Sequence, residues 1–229
     1  MIRSTSKALL DDLLLLSDKE QAEVIAGYLK TSKLSFIGIK LPEIAKIAKK
    51  HMKGLSEGEL QELMLELWKE PYFETRRASI DVMKEYAKKA DVDNALTIID
   101  SWIDDVDTWA LMDPIGSNCL GELLLREPTL ENTFTKWRND LNFWRRRATI
   151  LPYLYLSLKR NYKPEFTKKI LTAIRPHITD EEFFVGKAAG WVLRELSKRD
   201  PDAVRTFIEN HKNKMTKLVL RESSIKIKD

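Results

Sequence analysis

Four residues that can take part in chemistry lie at spacings close to one helical turn or to one structural repeat. Trp109 and Asp113 are four residues apart, so they share one face if their segment is helical. Arg147 and Trp191 follow at intervals close to a repeat length. One carboxylate, one guanidinium and two indoles can bind an anion, oppose a charge or stack on a ring. These four residues form the candidate site.

An internal repeat connects these positions. Residues 76–80 recur as residues 146–150 with one change, a serine to a threonine, and the two alanines inside them are 70 residues apart. Half of that distance, counted from Ala78, ends at Asp113, and residues 187–191 are a weaker third copy. A period of about 35 to 40 residues is typical of a solenoid whose unit is a pair of helices. We therefore expect the candidate residues to line one surface.

Composition sets broad limits on the class of protein. The chain has 229 residues, of which 43% are hydrophobic, so it can bury one sizeable core. Its net charge of +4 neither requires nor excludes a nucleic-acid partner. The single cysteine, Cys119, excludes an internal disulfide and suits a reducing compartment. The apolar stretch at residues 9–16 contains two aspartates and cannot serve as a membrane span. We expect a soluble, cytoplasmic protein with no membrane partner.

Helix signals dominate the chain. Patterns of capping boxes occur at Ser17/Glu20, Ser56/Glu59 and Thr179/Glu182. Apolar residues at three- and four-residue spacing predict about twelve helices, and no linker rich in glycine, serine or proline divides them. The sequence therefore predicts a single all-α domain over residues 1–229, built as a solenoid of antiparallel helix pairs. The Lys- and Ser-rich segment at residues 216–229 is predicted to be a frayed tail.

Arg147 lies in the middle of an apolar stripe if residues 142–160 form one helix. A guanidinium in such a place needs a partner, either a buried carboxylate or an anion held at the edge of the core. The alternative is an arginine that extends past the apolar surface to solvent. The pattern alone favours neither interpretation.

Asp113 and Trp109 each have a structural interpretation beside the functional one. Pro114 follows Asp113, and the residue before a proline is disfavoured in the helical region, so Asp113 is predicted at a helix break where it can cap the next helix. Trp109, one turn earlier, can be a core residue, as we expect for Trp68, Trp102, Trp137 and Trp144.

The sequence gives little support to a metal or cofactor enzyme. His51, His177 and His211 are scattered, with no cysteine at metal-ligand spacing, and Cys119 resembles a small buried hydrophobe. Residues 36–42 contain one glycine and no phosphate-binding fingerprint, so we expect a connector leading into a helix. We predict no metal and no cofactor.

Four motifs, in this order along the chain, resemble those of the AlkD-type bacterial DNA alkylation repair proteins, which are HEAT-like helical repeats acting as DNA glycosylases. They are Phe36-x-Gly38-x-x-x-Pro42, Trp109-x-x-x-Asp113, Phe143-Trp144-x-x-Arg147-Ala148-x-Ile150-Leu151 and Gly190-Trp191-Val192-Leu193-Arg194-Glu195. The similarity covers about residues 28–198. The chain departs from the family pattern at Thr108, where the family often has a second tryptophan, and at Pro114.

The resemblance implies a role for each candidate residue. It implies that Asp113 is the catalytic carboxylate, that Trp109, Trp191 and Tyr28 contact the lesion nucleotide, and that Arg147 holds the DNA backbone. It also implies a lesion held against an open concave surface instead of a deep base pocket. The implied partner is double-stranded DNA containing alkylated purines, bound by a monomer with access to a bacterial-type nucleoid.

The first hypothesis is therefore a DNA glycosylase that removes cationic N3- or N7-alkylated purines from duplex DNA. The second is a non-catalytic repeat protein that binds distorted or branched DNA. The third, a protein-protein scaffold, is the common use of such repeats in general. Base release from methylated DNA is expected only under the first hypothesis, and salt-sensitive duplex binding is expected under the first two.

Overall fold

The fold is all-α in the computed structural model, which describes residues 2–227 and the side chains from Thr5 onward. The predicted fold class is confirmed, since every regular element among these residues is helical. Extended pairing within them is limited to one isolated bridge between Ser35 and Tyr72. Contacts divide the chain into a unit that ends at Pro114 and a unit that begins at Ile115. The single domain predicted over residues 1–229 stays a prediction.

The first unit contains helices α1 to α7 within its described residues. They are α1 (Ile2–Leu14), α2 (Lys19–Tyr28), α3 (Leu41–Met52), α4 (Glu57–Lys69), α5 (Phe73–Tyr86), α6 (Val92–Asp105) and α7 (Trp109–Pro114). Helix α4 packs against α5, α3 packs against α1 and α5, and α7 lies beside α5. Contacts thus run between helices that are near neighbours in the sequence, as the repeat predicts.

The core of the first unit forms where the apolar faces of α1, α4 and α5 meet. Leu9, Leu13, Leu63, Leu67 and Met83 are fully buried. Each such side chain contributes about 1.5 to 3 kcal/mol by leaving water. The rings of Trp68 and Trp102 stack at 4.1 Å between centroids. Both are buried, as are Trp137 and Trp144, so the prediction that these four tryptophans belong to the core is confirmed.

Within its described residues, the second unit begins with a π-helix and continues through eight α-helices. The π-helix is Ile115–Leu120, and the α-helices are α8 (Gly121–Arg126), α9 (Glu131–Trp137), α10 (Phe143–Ala148), α11 (Leu151–Ser157), α12 (Phe166–Ile174), α13 (Phe183–Leu196), α14 (Pro201–His211) and α15 (Lys217–Ser224). Single turns of 3-10 helix occupy Pro128–Leu130 and Arg175–His177. Helix α13 packs against α15, α11 and α10, and α11 also packs against α8.

Two sequence predictions about helices in this unit are wrong. Residues 142–160 form two helices, because Pro152 has no N–H and its ring would meet the carbonyl of Ala148, where α10 ends. The tail predicted to fray from Thr216 onward contains α15. That helix is capped by the Thr216 hydroxyl and buries Val219 and Glu222, so it is held by tertiary packing. Residues 228–229 of the predicted tail lie outside the described residues.

Capping was predicted correctly at one of three places. Ser56 and Glu59 form the complete reciprocal capping box of α4. At α2 the cap is Asp18 and not Ser17, and at α13 it is Glu182 and not Thr179. In each case a nearby carboxylate accepts one N–H group of the first turn, that of Gln21 or Phe184, which is favoured at the positive end of a helix.

Candidate active site

Trp109 and Asp113 lie one turn apart on α7, and both side chains are half-buried. Thr108 begins this helix. Its carbonyl accepts the N–H groups of Leu111 and Met112 at 3.2 Å each, and its hydroxyl accepts that of Ala110 at 3.4 Å. Thr108 therefore acts as an N-cap, the role that threonine performs well and tryptophan does not. The N-cap role gives a structural reason for a threonine at position 108, where the family often has a second tryptophan.

Asp113 does not lie at a helix break, so the predicted break and capping role are wrong. It is the penultimate residue of α7, and the residues after Pro114 form the π-helix Ile115–Leu120. Because Pro114 has no N–H and its ring meets the carbonyl of Ala110, the regular α-helical bonds cannot run through it. The chain responds by widening its turns, as π-helices do, and helical geometry is kept at Asp113.

Tyr28 and Trp109 form an aromatic pair next to this carboxylate. Their ring centroids are 5.7 Å apart with an interplanar angle of 87°, an edge-to-face contact. Tyr28 is the last residue of α2 and is 71% exposed. The structure therefore brings together three of the residues predicted for the site, Tyr28, Trp109 and Asp113, within the first unit.

Asp107 helps to hold this pair. Its Oδ2 accepts the backbone N–H of Lys33 at 2.5 Å, which ties the segment after α2 to the segment before α7. Its Oδ1 is buried and has no hydrogen-bond partner among the described residues. Asp107 thus links the segment that follows Tyr28 to the segment that precedes Trp109 through one of its two oxygens.

The segment at residues 36–42 is held by hydrogen bonds to a buried carboxylate. Glu74 is fully buried, and its two oxygens accept the N–H groups of Ile37 at 2.9 Å, Gly38 at 2.9 Å and Ile39 at 3.3 Å. These donors are therefore not available to an external anion. Gly38 has φ of 94°, and a Cβ there would lie 1.9 Å from the carbonyl oxygen of Asp18. The Phe36-x-Gly38 motif thus joins this segment to the start of α2, as the predicted connector.

Arg147 lies at the end of α10 and is only 3% exposed. Its guanidinium donates to the carbonyl oxygen of Phe184. The neighbouring Arg146 forms an ion pair with Asp180 at 2.8 Å. The interpretation that Arg147 extends to solvent is therefore wrong. The guanidinium is partnered within the apolar face, but the partner seen here is a backbone carbonyl, whereas a buried carboxylate or an anion was predicted.

Trp191 lies half-buried on α13 with two cations on its side of the helix. Lys187 precedes it by one turn and Arg194 follows it by one turn, and both donate to Glu222 of α15 at 2.7 Å. Glu222 is buried, and these hydrogen bonds hold the pKa of its carboxyl below the ordinary range. One carboxylate thus fixes both cations beside the indole.

A close contact between helices brings Glu222 to this position. A Cβ built on Gly190 would lie 2.4 Å from the Cβ of Glu222, so the two helices approach at a point where only glycine fits. Arg147 and Trp191 are in the second unit, on α10 and α13, two helices that pack against each other.

Three buried or half-buried carboxylates that organise these residues were not predicted, namely Asp107, Glu74 and Glu222. Their partners are 74, about 36 and about 35 residues away. Two of the separations are close to the repeat period of about 35 to 40 residues. Opposite charges one repeat period apart are the sequence signal by which the pair of Lys187 and Glu222 could have been predicted.

Neither a metal site nor a membrane span is found in the part of the chain that the structure describes. No three histidine, cysteine or acidic side chains within residues 2–227 come together in a group able to bind a metal ion. None of the helices between those residues has the length and apolar character needed to cross a bilayer.

Comparison with known proteins identifies the family. The family model for "DNA alkylation repair enzyme" matches residues 9–227. The chain belongs to this family. No curated protein matches it significantly.

Solved structures share the fold at low sequence identity. A predicted DNA alkylation repair enzyme from Enterococcus faecalis has a TM-score of 0.77 and 22% identity, over 92% of this chain and 96% of that one. AlkD2 from Streptococcus mutans has a TM-score of 0.71 and 16% identity, with both chains fully covered. The protein smu.31 from Streptococcus mutans UA159 has a TM-score of 0.66 and 18% identity, over 82% of this chain and 93% of that one.

Proposed function

We propose that this protein is a DNA glycosylase that hydrolyses the N-glycosidic bond of cationic N3- or N7-alkylated purines in duplex DNA. The observation that carries the proposal is the contact of the exposed Tyr28 with the half-buried Trp109, one helical turn from the Asp113 carboxylate, in a chain that belongs to the DNA alkylation repair family. We further propose that it acts as a monomer in the cytoplasm, where a bacterial-type nucleoid is accessible to it.

The chemistry requires few protein groups. An N3- or N7-alkylated purine carries a positive charge, so it leaves as a neutral base and needs no general acid. Positive charge then develops on the deoxyribose as the bond stretches. A carboxylate beside the sugar opposes that charge and orients the water whose oxygen bonds to the anomeric carbon, while the water's proton passes to the carboxylate or to solvent. We assign this role to Asp113.

The aromatic side chains suit a cationic lesion. In the proposal Trp109, Trp191 and Tyr28 contact the lesion nucleotide, and each indole face contributes about 1 kcal/mol of cation-π stabilisation. The 71% exposure of Tyr28 supports recognition at an open surface instead of an enclosed pocket. Discrimination would then depend on the charge of the base and on the sugar, and extra bulk on the alkyl group would be tolerated.

Arg147 has a revised place in the proposal. The resemblance implies a contact with the DNA backbone, and that contact stays a prediction. Because the guanidinium is 3% exposed and bonded to the carbonyl of Phe184, its burial favours a positioning role for α10 against the start of α13. A buried donor that has left water is stabilised only where its hydrogen bonds are kept.

The test is the release of free N7-methylguanine and N3-methyladenine from methylated duplex DNA. We expect the wild type to release both bases and Asp113→Asn to release them at least about 100-fold more slowly, the scale of a single electrostatic contact in a transition state. Binding of this variant to an abasic-site duplex is expected to be kept, because the amide retains the shape of the carboxylate. The matched control is Asp202→Asn, whose side chain is 88% exposed.

Each outcome separates the hypotheses. Full activity in Asp113→Asn removes this residue from the mechanism. A wild type that binds duplex DNA but releases no base from it supports the non-catalytic DNA-binding alternative. A wild type with no salt-sensitive affinity for duplex DNA supports the scaffold.

A further inference from the structure

A groove that carries several lysines lies between α3 and the end of α5 in the first unit. Its volume is about 1110 Å³. We name it the lysine groove, and its charged lining is Lys46, Lys49, Lys50, Lys53, Lys84 and Lys89 with Asp81 and Glu85. Six lysines and two acids give the groove a formal charge of +4, as large as the net charge of the whole chain. Two of the six lysines pair with carboxylates outside the lining, Lys50 with Asp12 at 2.7 Å and Lys46 with Glu43 at 3.8 Å.

Helix α3 presents its lysines as a single stripe. Lys46, Lys49, Lys50 and Lys53 follow the spacing of one helix face and are all exposed, whereas Ile44, Ile47 and Ala48 on the opposite side are buried. From Lys46 to its last residue, Met52, the helix rises about 9 Å, and Lys53 follows directly as its C-cap. That length equals about three successive phosphates of one strand, measured along the axis of duplex DNA.

The two acids in the groove have partners of their own. Asp81 pairs with Arg77 at 3.1 Å, and burial raises the pKa of its carboxyl. Glu85 pairs with Lys88 at 2.8 Å, outside the groove lining. Among the described residues no carboxylate lies within 4 Å of Lys49, Lys53 or Lys89. The positive charge of these three lysines is therefore not offset by a neighbouring ion pair.

The rest of the lining indicates what kind of polyanion fits. The apolar residues are Ala45, Met52, Leu55 and Leu60, along which lysine stems can lie while the ammonium groups reach outward. The lining contains no arginine and no aromatic side chain. It therefore has no guanidinium group to bind a carboxylate through two parallel hydrogen bonds, and no ring on which a base can stack. Flexible point charges suit phosphates contacted without regard to sequence.

We propose that the lysine groove binds the phosphate backbone of duplex DNA, whether or not a lesion is present. The proposal rests on the proposed function only in taking duplex DNA as the polyanion. It assigns to α3 and α5 the sequence-independent affinity that keeps a repair protein on DNA, separate from the residues that act on the lesion. Affinity of this kind falls steeply as salt rises, because binding releases the counterions condensed on DNA.

The experiment measures affinity for an undamaged duplex as a function of salt concentration, by fluorescence anisotropy with the full chain. The variant is Lys49→Gln/Lys53→Gln/Lys89→Gln. Its control, Lys69→Gln/Lys212→Gln/Lys214→Gln, loses the same charge from exposed lysines outside the groove lining. Glu85→Gln provides the opposite test, because it removes a negative charge from the groove.

We expect the slope of log affinity against log salt to fall in magnitude by about 2.7 in the groove variant and to stay unchanged in the control. Between about 50 and 200 mM salt the wild type then loses about 40-fold more affinity than the groove variant. Glu85→Gln is expected to bind about two- to fivefold more tightly at low salt, the scale of one exposed charge.

Equal slopes for the groove variant and the control overturn the proposal. It is also overturned if a poly-glutamate peptide at equal charge concentration displaces the wild type from DNA as well as unlabelled duplex does, since the groove would then accept any acidic chain. The readout is independent of catalysis because the duplex carries no lesion. If the wild type releases alkylated bases but the groove variant and its control have equal slopes, the lysine-groove proposal fails and the glycosylase proposal stands. If the slope of the groove variant is reduced but the wild type releases no base, the glycosylase proposal fails and the lysine-groove proposal stands.

Discussion

The buried carboxylate of Glu74 supports one end of the candidate site, and Glu74→Gln tests how much. Oε1 accepts the N–H groups of Gly38 and Ile39, and Oε2 accepts that of Ile37. Glutamine has one oxygen in place of two, so it can keep two of the three bonds as neutral ones. Its amide N–H2 would face the third donor, and that backbone N–H would be buried without an acceptor.

The cost follows from the individual bonds. Replacing two charge-assisted bonds by neutral ones loses about 1 kcal/mol each, and one orphaned buried N–H costs about 1 to 3 kcal/mol. The free energy of unfolding should therefore fall by about 4 kcal/mol. For a chain of this length, 1 kcal/mol corresponds to about 2 to 4 °C in Tm, so Tm should fall by about 8 to 16 °C.

The assay is thermal unfolding followed by circular dichroism, together with base release at a temperature where the variant is folded. The matched control is Glu43→Gln on the exposed start of α3, for which we expect a change in Tm below about 2 °C. Base release should weaken in Glu74→Gln, because the held segment bonds to Asp18 at the start of the helix that carries Tyr28. A Tm equal to that of the wild type would refute the reasoning.

Three further predictions address the remaining residues. Arg147→Ala should lower Tm by several degrees. An unchanged salt dependence of DNA affinity would then support the positioning role alone, whereas a slope reduced by about 0.9 would show the predicted phosphate contact. Trp109→Ala and Trp191→Ala should each slow the release of all cationic adducts without changing their ranking, and an altered preference would show that the site recognises base shape. His177 is 2% exposed, and burial lowers its pKa from 6.5 to about 4. Its unfolded form therefore takes up a proton first as pH falls from 6.5 to 4, and stability is lost in that window. By pH 5 the loss should reach about 2 kcal/mol, visible as a fall in Tm that His177→Gln makes shallower.

Features of the fold that depend on neighbouring residues could be predicted from the sequence. The capping box at Ser56 and Glu59 was correct because both partners lie within one turn. The burial of Trp68 and Trp102 followed from the amphipathic pattern of their helices. The repeat of residues 76–80 in residues 146–150 indicated a helical repeat, and the all-α class is confirmed.

Two helix predictions failed because a proline can change a helix in more than one way. Pro114 was expected to break the helix, yet the chain widens into a π-helix after it. Pro152 was passed over inside a predicted helix, yet it separates α10 from α11. Since Pro152 falls in the first turn of α11, its missing N–H leaves no bond unmade there.

The supporting residues of the site could not be predicted from local patterns. Glu74 and Glu222 resemble ordinary surface glutamates in sequence, and their burial depends on backbone donors or cations that folding brings from about 35 residues away. The burial of Arg147 was suggested by its place in the apolar stripe, but its acceptor, the carbonyl of Phe184, was not.

The contact between α13 and α15 constrains how this protein can evolve. Because the clash at position 190 is with the Cβ of Glu222, every residue at position 222 except glycine forbids a side chain at position 190. Substitution of Glu222 by any other residue that has a Cβ therefore leaves no room for a side chain at position 190. A glycine at 222 would release it, but it would weaken the short helix α15 by about 1 kcal/mol and remove the carboxylate that holds Lys187 and Arg194. The effect of a substitution at position 190 thus depends on the residue at position 222. A mutational path that changes Gly190 must first pass through a less stable protein.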